Sequence, residues 1–436
     1  MNVTVGTQPL EGVARAISSK SFAHRMLICA ALADAPTTIE CATTSDDIEA
    51  TIACLTALGA KVRRDGQVLL VTPIDRTNLP LDVQMDCGES GSTLRFLVPV
   101  ICALGCGATI KMHGRLPERP LSPLREELEA HGCAVSAAGT NPLVVKGQLV
   151  GGTFRLPGDV SSQFASGLLM ALPLVGGESL VCVGEPVGSR PYIDMTLQVL
   201  ERFGIATQGV RERDEKGSRL VWKIAADDAL RSCGRAAVEG DWSNAAFWLC
   251  AGALCEKGVG VCGLDARSAQ GDRAVLGALA LFGADVLRTN ELVAVRAGRP
   301  KAAELSVRDV PDLVPPLAAV AALAPGTSVL RDAGRLRLKE SDRLESVSAA
   351  LAALGAKVTV RDDDLVFEGV QTLHGGTVDA CGDHRIAMLA AIAAARADGP
   401  VTIRGAECVS KSYPGFFDEL AALGADVRWE GTCRQA

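Results

Sequence analysis

The sequence predicts an α/β (α+β) protein of two similar domains, each built from three copies of one unit of helices and short strands. Three observations support this fold class. The chain has 436 residues, which is two or three times the size of an ordinary domain. A segment with a central glycine recurs six times at nearly constant spacing. Six other helix starts, each marked by small or polar residues, alternate with these segments.

The recurring segment consists of apolar residues, a glycine and the start of an extended run. Its most similar copies are Leu-Ala-Ala-Leu-Gly-Ala-Lys-Val at 351–358 and Leu-Ala-Ala-Leu-Gly-Ala-Asp-Val at 420–427. The central glycines, separated by 73, 72, 79, 72 and 69 residues, are Gly59, Gly132, Gly204, Gly283, Gly355 and Gly424. Each copy predicts a helix that ends at a left-handed glycine and is followed by a strand. Such junctions are common in α/β proteins, but six at this spacing indicate a repeat of about seventy residues.

The other helix of each unit begins with residues that favour an N-cap. These residues are 18–19, 88–92, 159–162, 240–244, 309–312 and 382–383. The apolar runs after them predict helices over 21–32, 94–104, 164–174, 245–254, 313–323 and 385–395. Each start taken alone is best explained as a cap, although a helix N-terminus that faces a ligand can also bind an anion. Three units in each of two domains is the economical arrangement, with a tight boundary near 235–240.

Composition excludes several classes of protein. Hydrophobic residues make up 48% of the chain, so we expect a folded protein, and a net charge of −7 argues against a nucleic-acid binder. The 15 cysteines form no C-x-x-C pair and mostly lie in apolar runs, which favours buried thiols in a reduced, cytoplasmic compartment. The five histidines lack metal-ligand spacing, and no apolar stretch is long enough to span a bilayer. We therefore expect neither a bound metal nor a membrane partner.

Basic residues near the predicted helix starts are the strongest functional signal. They are Lys20, Arg25, Arg95, Arg119, Arg190, Lys339, Arg343, Arg385 and Lys411. Any one of them alone is expected to be a solvated surface cation. Nine together, in a chain whose net charge is negative, predict a focused positive cleft that binds a small polyanion.

Nine motifs occur in the order and register of one protein family. The first five are Ser-Lys-Ser-Phe-Ala-His-Arg (19–25), Ser-Asp-Asp (45–47), Glu-Arg-Pro (118–120), Gly-Asp-Val-Ser-Ser-Gln-Phe (158–164) and Arg-Pro-Tyr-Ile-Asp (190–194). The other four are Val-Glu-Gly-Asp (238–241), Leu-Lys-Glu-Ser-Asp-Arg (338–343), Asp-His-Arg (383–385) and Lys-Ser-Tyr-Pro (411–414). Together they resemble the 3-phosphoshikimate 1-carboxyvinyltransferases, the 5-enolpyruvylshikimate-3-phosphate (EPSP) synthases.

This resemblance implies a fold and a set of partners. The fold is two similar domains, each of three βαβαββ units, which close at a two-strand hinge over an active-site cleft between them. One domain is expected at 19–237, and the other combines 1–18 with 238–436. The resemblance also implies a cytoplasmic monomer that acts on phosphoenolpyruvate and 3-phosphoshikimate without a metal or cofactor, a nucleic acid or a membrane.

The implied reaction moves the enolpyruvyl group of phosphoenolpyruvate to the 5-hydroxyl of 3-phosphoshikimate and releases phosphate. The enol carbon is a poor electrophile until the neighbouring methylene is protonated, so the site needs a general acid there and a base near the hydroxyl. By matching position, Lys20 touches both substrates and is a candidate proton donor. Asp312 accepts the 5-hydroxyl proton, and Glu340 transfers a proton at the methylene carbon.

The remaining site residues are assigned to substrate binding by the same resemblance. Ser21 and Arg25 bind the hydroxyl and carboxylate side of 3-phosphoshikimate, and Gln163 lies between the two substrates. The shikimate phosphate is assigned to Ser161, Ser162, Ser189 and Lys339. Phosphoenolpyruvate is assigned to Gly91, Arg119, Arg343, Arg385 and Lys411. Glycine at 91 allows a backbone amide to approach the ligand without a side chain in the way.

Three positions depart from the family pattern. Ile17-Ser18 replaces a Pro-Gly pair that is frequent before the first motif, at the expected hinge. Glu89 stands where asparagine is common, which puts a carboxylate near an anion pocket. Arg335 stands where some members have asparagine, so it is not counted as a substrate ligand.

Two other functions remain as alternatives. The sister enolpyruvyl transferases that act on UDP-N-acetylglucosamine share the fold, but they carry a cysteine in the loop before Arg119 and Lys-Asn at the first motif. Residues 113–119 contain no cysteine here, and Lys20 is followed by serine. A non-catalytic, anion-binding repeat scaffold is the second alternative. Retention of Lys20, Asp312 and Glu340 argues against it, because a scaffold needs no acid and base among its cations.

Overall fold

A computed structural model describes residues 1–215 and 217–430 of the chain. The chain divides into two compact units. The continuous unit is Ser18–Val238, and the discontinuous unit combines Met1–Ile17 with Glu239–Ala436. These boundaries lie one residue from those expected, which were 19–237 and 1–18 plus 238–436.

Strands and helices are numbered along the chain, which begins with β1 (Asn2–Val5) and β2 (Gly12–Arg15) of the discontinuous unit. The helices of the continuous unit are α1 (Lys20–Leu32), α2 (Asp46–Ala57), α3 (Gly91–Leu104), α4 (Leu124–Ala130), α5 (Ser162–Ala171) and α6 (Arg190–Arg202). Its strands are β3 (Thr37–Glu40), β4 (Lys61–Asp65), β5 (Val68–Thr72), β6 (Val83–Asp86), β7 (Ala108–Lys111), β8 (Cys133–Val135), β9 (Leu143–Gly147), β10 (Thr153–Leu156), β11 (Ser179–Gly184), β12 (Val210–Asp214), β13 (Gly217–Ile224) and β14 (Arg235–Ala237).

The rest of the discontinuous unit has the same kinds of elements. Its helices are α7 (Trp242–Leu254), α8 (Val275–Leu281), α9 (Val314–Ala321), α10 (Arg343–Ala353), α11 (His384–Ala393) and α12 (Phe416–Ala422). Its strands are β15 (Val259–Cys262), β16 (Asp285–Arg288), β17 (Leu292–Arg296), β18 (Glu304–Ser306), β19 (Thr327–Arg331), β20 (Lys357–Arg361), β21 (Asp364–Glu368), β22 (Gly376–Asp379), β23 (Val401–Arg404) and β24 (Val427–Glu430).

The strands form six four-stranded sheets with one shared topology. In each sheet the first two strands are parallel, and the third and fourth are added antiparallel, as in β6-β7-β9-β8. Three sheets contain one strand from a distant part of the chain. Strand β1 lies between β23 and β24, β2 pairs with β15, and β14 pairs with β3. The observed architecture confirms the predicted repeat and fold class.

The six repeated glycines end the even-numbered helices as predicted. Each lies two residues after the last residue of its helix, and its φ is between 81° and 106°. A residue with a Cβ is strained in this left-handed conformation, whereas glycine adopts it readily. A strand follows every one of these glycines, at once after Gly132 and after a longer loop following Gly204.

The odd-numbered helices begin at the predicted polar segments, with one difference. Side-chain oxygens cap five of them, from Ser19, Ser90, Ser161, Asp241 and Asp383. The expected cap within 309–312 is wrong. A 3-10 turn, Pro311–Leu313, leads directly into α9 and has no side-chain cap, so Asp312 lies inside the turn. Proline at the first position has no N–H group that needs a partner, which removes one of the donors that a cap would satisfy.

The odd-numbered helices also form the buried centre of each unit. In the continuous unit α1, α3 and α5 are buried along most of their length, and a Cβ on Gly167 would lie 2.5 Å from the carbonyl oxygen of Arg95. Of the cysteines within the described ranges, all are free thiols and ten are buried, as the composition predicted. No helix in this part of the chain has the length and apolar character needed to cross a membrane.

Candidate active site

Asp312 is the centre of a charged cluster in the discontinuous unit. Its carboxylate lies 3.2 Å from the Lys339 ammonium, 2.9 Å from the Arg343 guanidinium and 3.3 Å from the Arg385 guanidinium. Burial raises the pKa of Asp312, but the charges of Arg385, Lys339 and Arg343 outweigh it and hold that pKa well below its usual value. The cluster therefore keeps Asp312 ionised and able to accept a proton.

Arg343 joins three carboxylates around its guanidinium. It is the first residue of α10, and its nitrogens lie 2.7 Å from Asp383, 2.6 Å from Glu340 and 2.9 Å from Asp312. Burial lowers the pKa of Arg343, but the three carboxylates raise it by more than burial lowers it, so the group stays charged. Asp312 and Glu340, the two carboxylates predicted to be catalytic, thus both form ion pairs with Arg343. Asp383 was not among the predicted site residues, although it belongs to the Asp-His-Arg motif.

Arg385 is held by groups from two other segments. Its Nη2 donates to the Ser243 hydroxyl at 2.7 Å, and its Nη1 donates to the backbone oxygen of Asp312 at 3.1 Å. Lys411 is buried at the end of the 3-10 turn Ala406–Lys411, and the Ser412 hydroxyl lies 3.5 Å from the Asn244 side chain of α7. The predicted cations of this unit therefore lie at the starts of α10 and α11 (Arg343, Arg385) or in turns between its elements (Lys339, Lys411).

In the continuous unit, Lys20 and Arg25 have different surroundings. Lys20 is the first residue of α1, and its ammonium contacts Asp47 of α2 at 2.7 Å. Arg25 is buried and donates to the Thr196 hydroxyl at 2.7 Å and to the backbone oxygens of Ser21 (2.7 Å) and Tyr192 (2.9 Å). Arg25 thus links α1 to α6 through protein acceptors, and Lys20 lies at the more accessible end of α1.

Two guanidinium groups crowd the start of α3. A Cβ on Gly91 would lie 2.8 Å from Arg95 Nη1 and 3.0 Å from Arg119 Nη1, so a side chain there would displace one or both guanidinium groups. Arg95 also donates to the Gln163 side chain at 2.9 Å, and Gln163 donates to the Ser92 hydroxyl at 2.9 Å. The structure thus brings together Gly91, Arg119 and Gln163, three of the predicted site residues. It adds Arg95, which was counted among the nine cations but not among the site residues.

The three predicted phosphate serines lie at two neighbouring helix starts. Ser161 caps α5, Ser162 is its first residue, and Ser189 precedes α6 in the left-handed conformation (φ 56°). The two loops are joined by a backbone hydrogen bond from Gly188 to Gly158 of 2.8 Å. The serine hydroxyl groups supply hydrogen-bond donors, and the two helix N-termini supply partial positive charge. Both features suit a phosphate group.

Comparison with known proteins identifies the family. The family model of EPSP synthase (3-phosphoshikimate 1-carboxyvinyltransferase) matches residues 5–420. A 3-phosphoshikimate 1-carboxyvinyltransferase of Clostridium kluyveri is 37% identical over 431 residues, covering 98% of both chains. Among solved structures, an EPSP synthase from Acinetobacter baumannii matches with a TM-score of 0.78 and 25% identity, covering 98% of this chain and 100% of that one. The enolpyruvyl transferase NikO from Streptomyces tendae shares the fold, with a TM-score of 0.74 at 21% identity and 98% coverage of each chain. The chain therefore belongs to the EPSP synthase (3-phosphoshikimate 1-carboxyvinyltransferase) family.

Proposed function

We propose that this protein transfers the enolpyruvyl group of phosphoenolpyruvate to the 5-hydroxyl of 3-phosphoshikimate. The products are 5-enolpyruvylshikimate 3-phosphate and phosphate, on the shikimate pathway to chorismate and the aromatic amino acids. The observation that carries the proposal is the ion cluster in which Asp312 contacts three cations while Arg343 joins it to Glu340. Addition and elimination need proton acceptors and donors placed among cations that hold anionic substrates.

Asp312 is the proposed acceptor of the 5-hydroxyl proton. In the cluster its basicity is low, because three cations stabilise the carboxylate. When substrate phosphate and carboxylate groups bind Lys339 and Arg385, they compete for the same positive charge, and the pKa of Asp312 rises. The base therefore becomes stronger when the substrates are bound.

Lys20 and Glu340 are the proposed groups for proton transfer at the methylene carbon. A proton from Lys20 converts the methylene to a methyl group, and the hydroxyl oxygen adds to the adjacent carbon. Loss of a methyl proton to Glu340 and departure of phosphate then restore the double bond. Before substrates arrive, Lys20 contacts Asp47 and Glu340 contacts Arg343, so each group lies beside an opposite charge.

The other predicted residues are proposed to bind the substrate anions. Phosphoenolpyruvate is assigned to Gly91, Arg119, Arg343, Arg385 and Lys411. 3-Phosphoshikimate is assigned to Ser21, Arg25, Ser161, Ser162, Gln163, Ser189 and Lys339. Crowding of Gly91 by two guanidinium groups and the paired helix starts at Ser161 and Ser189 support these assignments. We also propose that the protein acts as a cytoplasmic monomer, which sedimentation velocity and cell fractionation test.

Phosphate release tests the proposed function directly. We expect release from phosphoenolpyruvate with 3-phosphoshikimate, and none with UDP-N-acetylglucosamine or without an acceptor. Detection of 5-enolpyruvylshikimate 3-phosphate by mass spectrometry in the same reactions links phosphate release to transfer. Release with UDP-N-acetylglucosamine alone would assign the chain to the sister activity. Anion binding without release from any mixture would favour a scaffold.

A further inference from the structure

Two hydrogen-bonded pairs join α1 to α2, one helical turn apart. Lys20 contacts Asp47 at 2.7 Å, and His24 Nδ1 lies 2.7 Å from Thr51 Oγ1. His24 follows Lys20 by four residues on α1, and Thr51 follows Asp47 by four residues on α2, so the second pair repeats the first along both helices. The first pair is partly exposed, whereas His24 and Thr51 are completely buried.

The inner pair continues into α3. Thr51 Oγ1 lies 2.6 Å from Thr93 Oγ1, which in turn donates to Ser90 Oγ at 2.8 Å. Ser90 also accepts a hydrogen bond from the backbone N–H of Thr93 and thereby caps α3. The residues His24, Thr51, Thr93 and Ser90, here named the buried network, have no exposed surface. The network runs from α1 to the residue immediately before Gly91.

The acceptors in the buried network determine the direction of its hydrogen bonds. The Thr93 hydroxyl donates its one proton to Ser90, so Thr93 must accept its other hydrogen bond from the Thr51 hydroxyl. Thr51 must then accept a hydrogen bond from His24. The backbone oxygen of Asp47 is the other acceptor in reach, at 3.4 Å from Thr51 and 3.5 Å from Thr93, and these distances are too long to compete. His24 therefore carries its proton on Nδ1, and its Nε2 has no hydrogen-bond partner within the described residues.

His24 remains neutral in these surroundings. Burial lowers the pKa of His24 to about 3; Asp47 on α2 opposes this, and Lys20 and Arg25 on α1 add to it. A neutral imidazole has one N–H donor and one acceptor nitrogen, so the single donor is the one used by Thr51. A charged ring would place a second N–H group at Nε2, where it would lack an acceptor.

We propose that His24 is a positioning residue whose Nδ1–H group begins a one-directional series of hydrogen bonds through Thr51 and Thr93 to Ser90. This series holds the start of α3 against the start of α1. The inference rests on the proposed function, in which Gly91 of α3 and Lys20 of α1 contact phosphoenolpyruvate together. Displacement of one helix start by about 1 Å is enough to cost a large factor in rate or binding.

Nitrogen NMR on the full-length protein labelled with ¹⁵N-histidine tests the direction of the network without depending on the reaction. We expect one ring, identified by the loss of its signals in His24→Asn, to carry a proton on Nδ1 and none on Nε2. We also expect it to show no titration between pH 8 and pH 5. A proton on Nε2, or a titration midpoint near pH 6.5, would overturn the proposal.

Steady-state kinetics test the positioning role. Thr51→Val and His24→Leu interrupt the network, and we expect each to raise KM for phosphoenolpyruvate about tenfold while kcat changes less than about threefold. His24→Asn keeps an N–H donor close to the Nδ1 position and should restore most of the binding. Thr56→Val is the matched control, because Thr56 lies on the same helix, is exposed, and its hydroxyl donates to the backbone oxygen of Ile52 in its own turn.

The kinetic outcomes separate positioning from a general loss of stability. An unchanged KM in Thr51→Val, or equal defects in His24→Asn and His24→Leu, would contradict the proposal. Should Thr51→Val fail to fold, the NMR measurement on the unmodified protein still decides the direction of the network. Absence of turnover in the unmodified protein would instead refute the proposed function.

Discussion

At the scale of single residues, nearby charge decides which buried carboxylates stay ionised. Asp312 contacts three cations directly, and its pKa is lowered. Asp272 lies in the same unit and is also buried; burial raises its pKa by more than the charge of Arg385 and a hydrogen bond from the Ser243 hydroxyl lower it. Burial, together with the charge of Asp312, raises the pKa of Asp272 to about 6. Asp312 is therefore the carboxylate that stays ionised to the lower pH.

The amide variants Asp312→Asn and Glu340→Gln test proton transfer. Each should lower turnover about a hundred- to ten-thousand-fold while 3-phosphoshikimate still binds, because general acid–base groups contribute factors of this size. Turnover, ligand affinity and melting temperature are measured on the same samples. Glu345→Gln, an exposed position in the first turn of α10, is the matched control. Near-normal turnover in both variants would refute the proton-transfer roles and leave only structural ones.

Replacement of Arg119 tests the assignment of substrates to residues. Arg119→Ala should weaken phosphoenolpyruvate binding by about 1.5–3 kcal/mol, the usual contribution of a charge-assisted hydrogen bond, and should affect 3-phosphoshikimate much less. Calorimetric titration of each ligand measures the difference. Arg115→Ala in the same loop is the control, because Arg115 is exposed and lies 3.6 Å from Glu118. Equal weakening of phosphoenolpyruvate and 3-phosphoshikimate binding would show that the assignment of Arg119 to phosphoenolpyruvate is wrong.

His24 predicts a specific dependence of stability on pH. Its pKa is about 3 in the folded protein, below the unfolded value of 6.5, so its contribution is complete above pH 6.5 and declines as the pH falls towards 3. Between pH 6.5 and pH 5 this loss is about 2 kcal/mol. His24→Asn should therefore lose less stability than the unmodified protein over this range. Melting temperatures recorded from pH 8 to pH 5 check this, and parallel declines would contradict it.

At the scale of elements, the local sequence controls where helices begin and end. Five central helices start at a serine or aspartate whose side chain accepts a backbone N–H, and the sequence marks all five. Helix α9 starts through a proline turn instead, and that turn carries Asp312. The ends of the even-numbered helices are more uniform than the starts of the odd-numbered ones, because all six glycines adopt the left-handed conformation.

Two of these glycines form a matched pair for a stability test. Gly424→Ala should cost about 1–2 kcal/mol from backbone strain alone, since the nearest atom to a new Cβ is the Pro9 carbonyl oxygen at 3.6 Å. Gly283→Ala should cost clearly more, because its Cβ would lie 1.9 Å from the backbone oxygen of Arg299. Chemical denaturation measures both variants. Equal losses would show that strain at the helix end, rather than the contact, dominates.

At the scale of the whole molecule, the first 17 residues complete the discontinuous unit. Strand β1 is an inner strand between β23 and β24, and β2 is the edge strand beside β15. The chain then forms the whole continuous unit before it returns at Glu239. The two units therefore depend differently on the N-terminal segment.

A protein that begins at Ser18 tests this dependence. Removal of β1 opens one sheet in its middle, so hydrogen exchange in residues 239–430 should become fast. Residues 18–238 should keep their slow exchange, since their three sheets and buried helices remain intact. Exchange measured by mass spectrometry on both proteins compares the regions in one experiment. Protection that is unchanged after residue 238 would refute the structural role of the segment.

The repeat, the fold class and most helix ends were predictable from the sequence alone. They depend on local properties, such as the left-handed conformation of Gly355 or the hydroxyl of Ser90 at a helix start, that adjacent residues reveal. The family followed from nine short motifs in one order. The site residues in those motifs were named for the same reason, although their roles in binding and catalysis remain predictions.

Only the tertiary structure decided which of these residues contact one another. Arg25 bonds Thr196, which is 171 residues away, and Arg343 bonds Asp383 across 40 residues. Neither pairing leaves a pattern in the sequence, because it depends on which helices pack together and on how deeply the charges are buried. The direction of hydrogen bonding from His24 was hidden for the same reason, since it follows from acceptors supplied by two other helices.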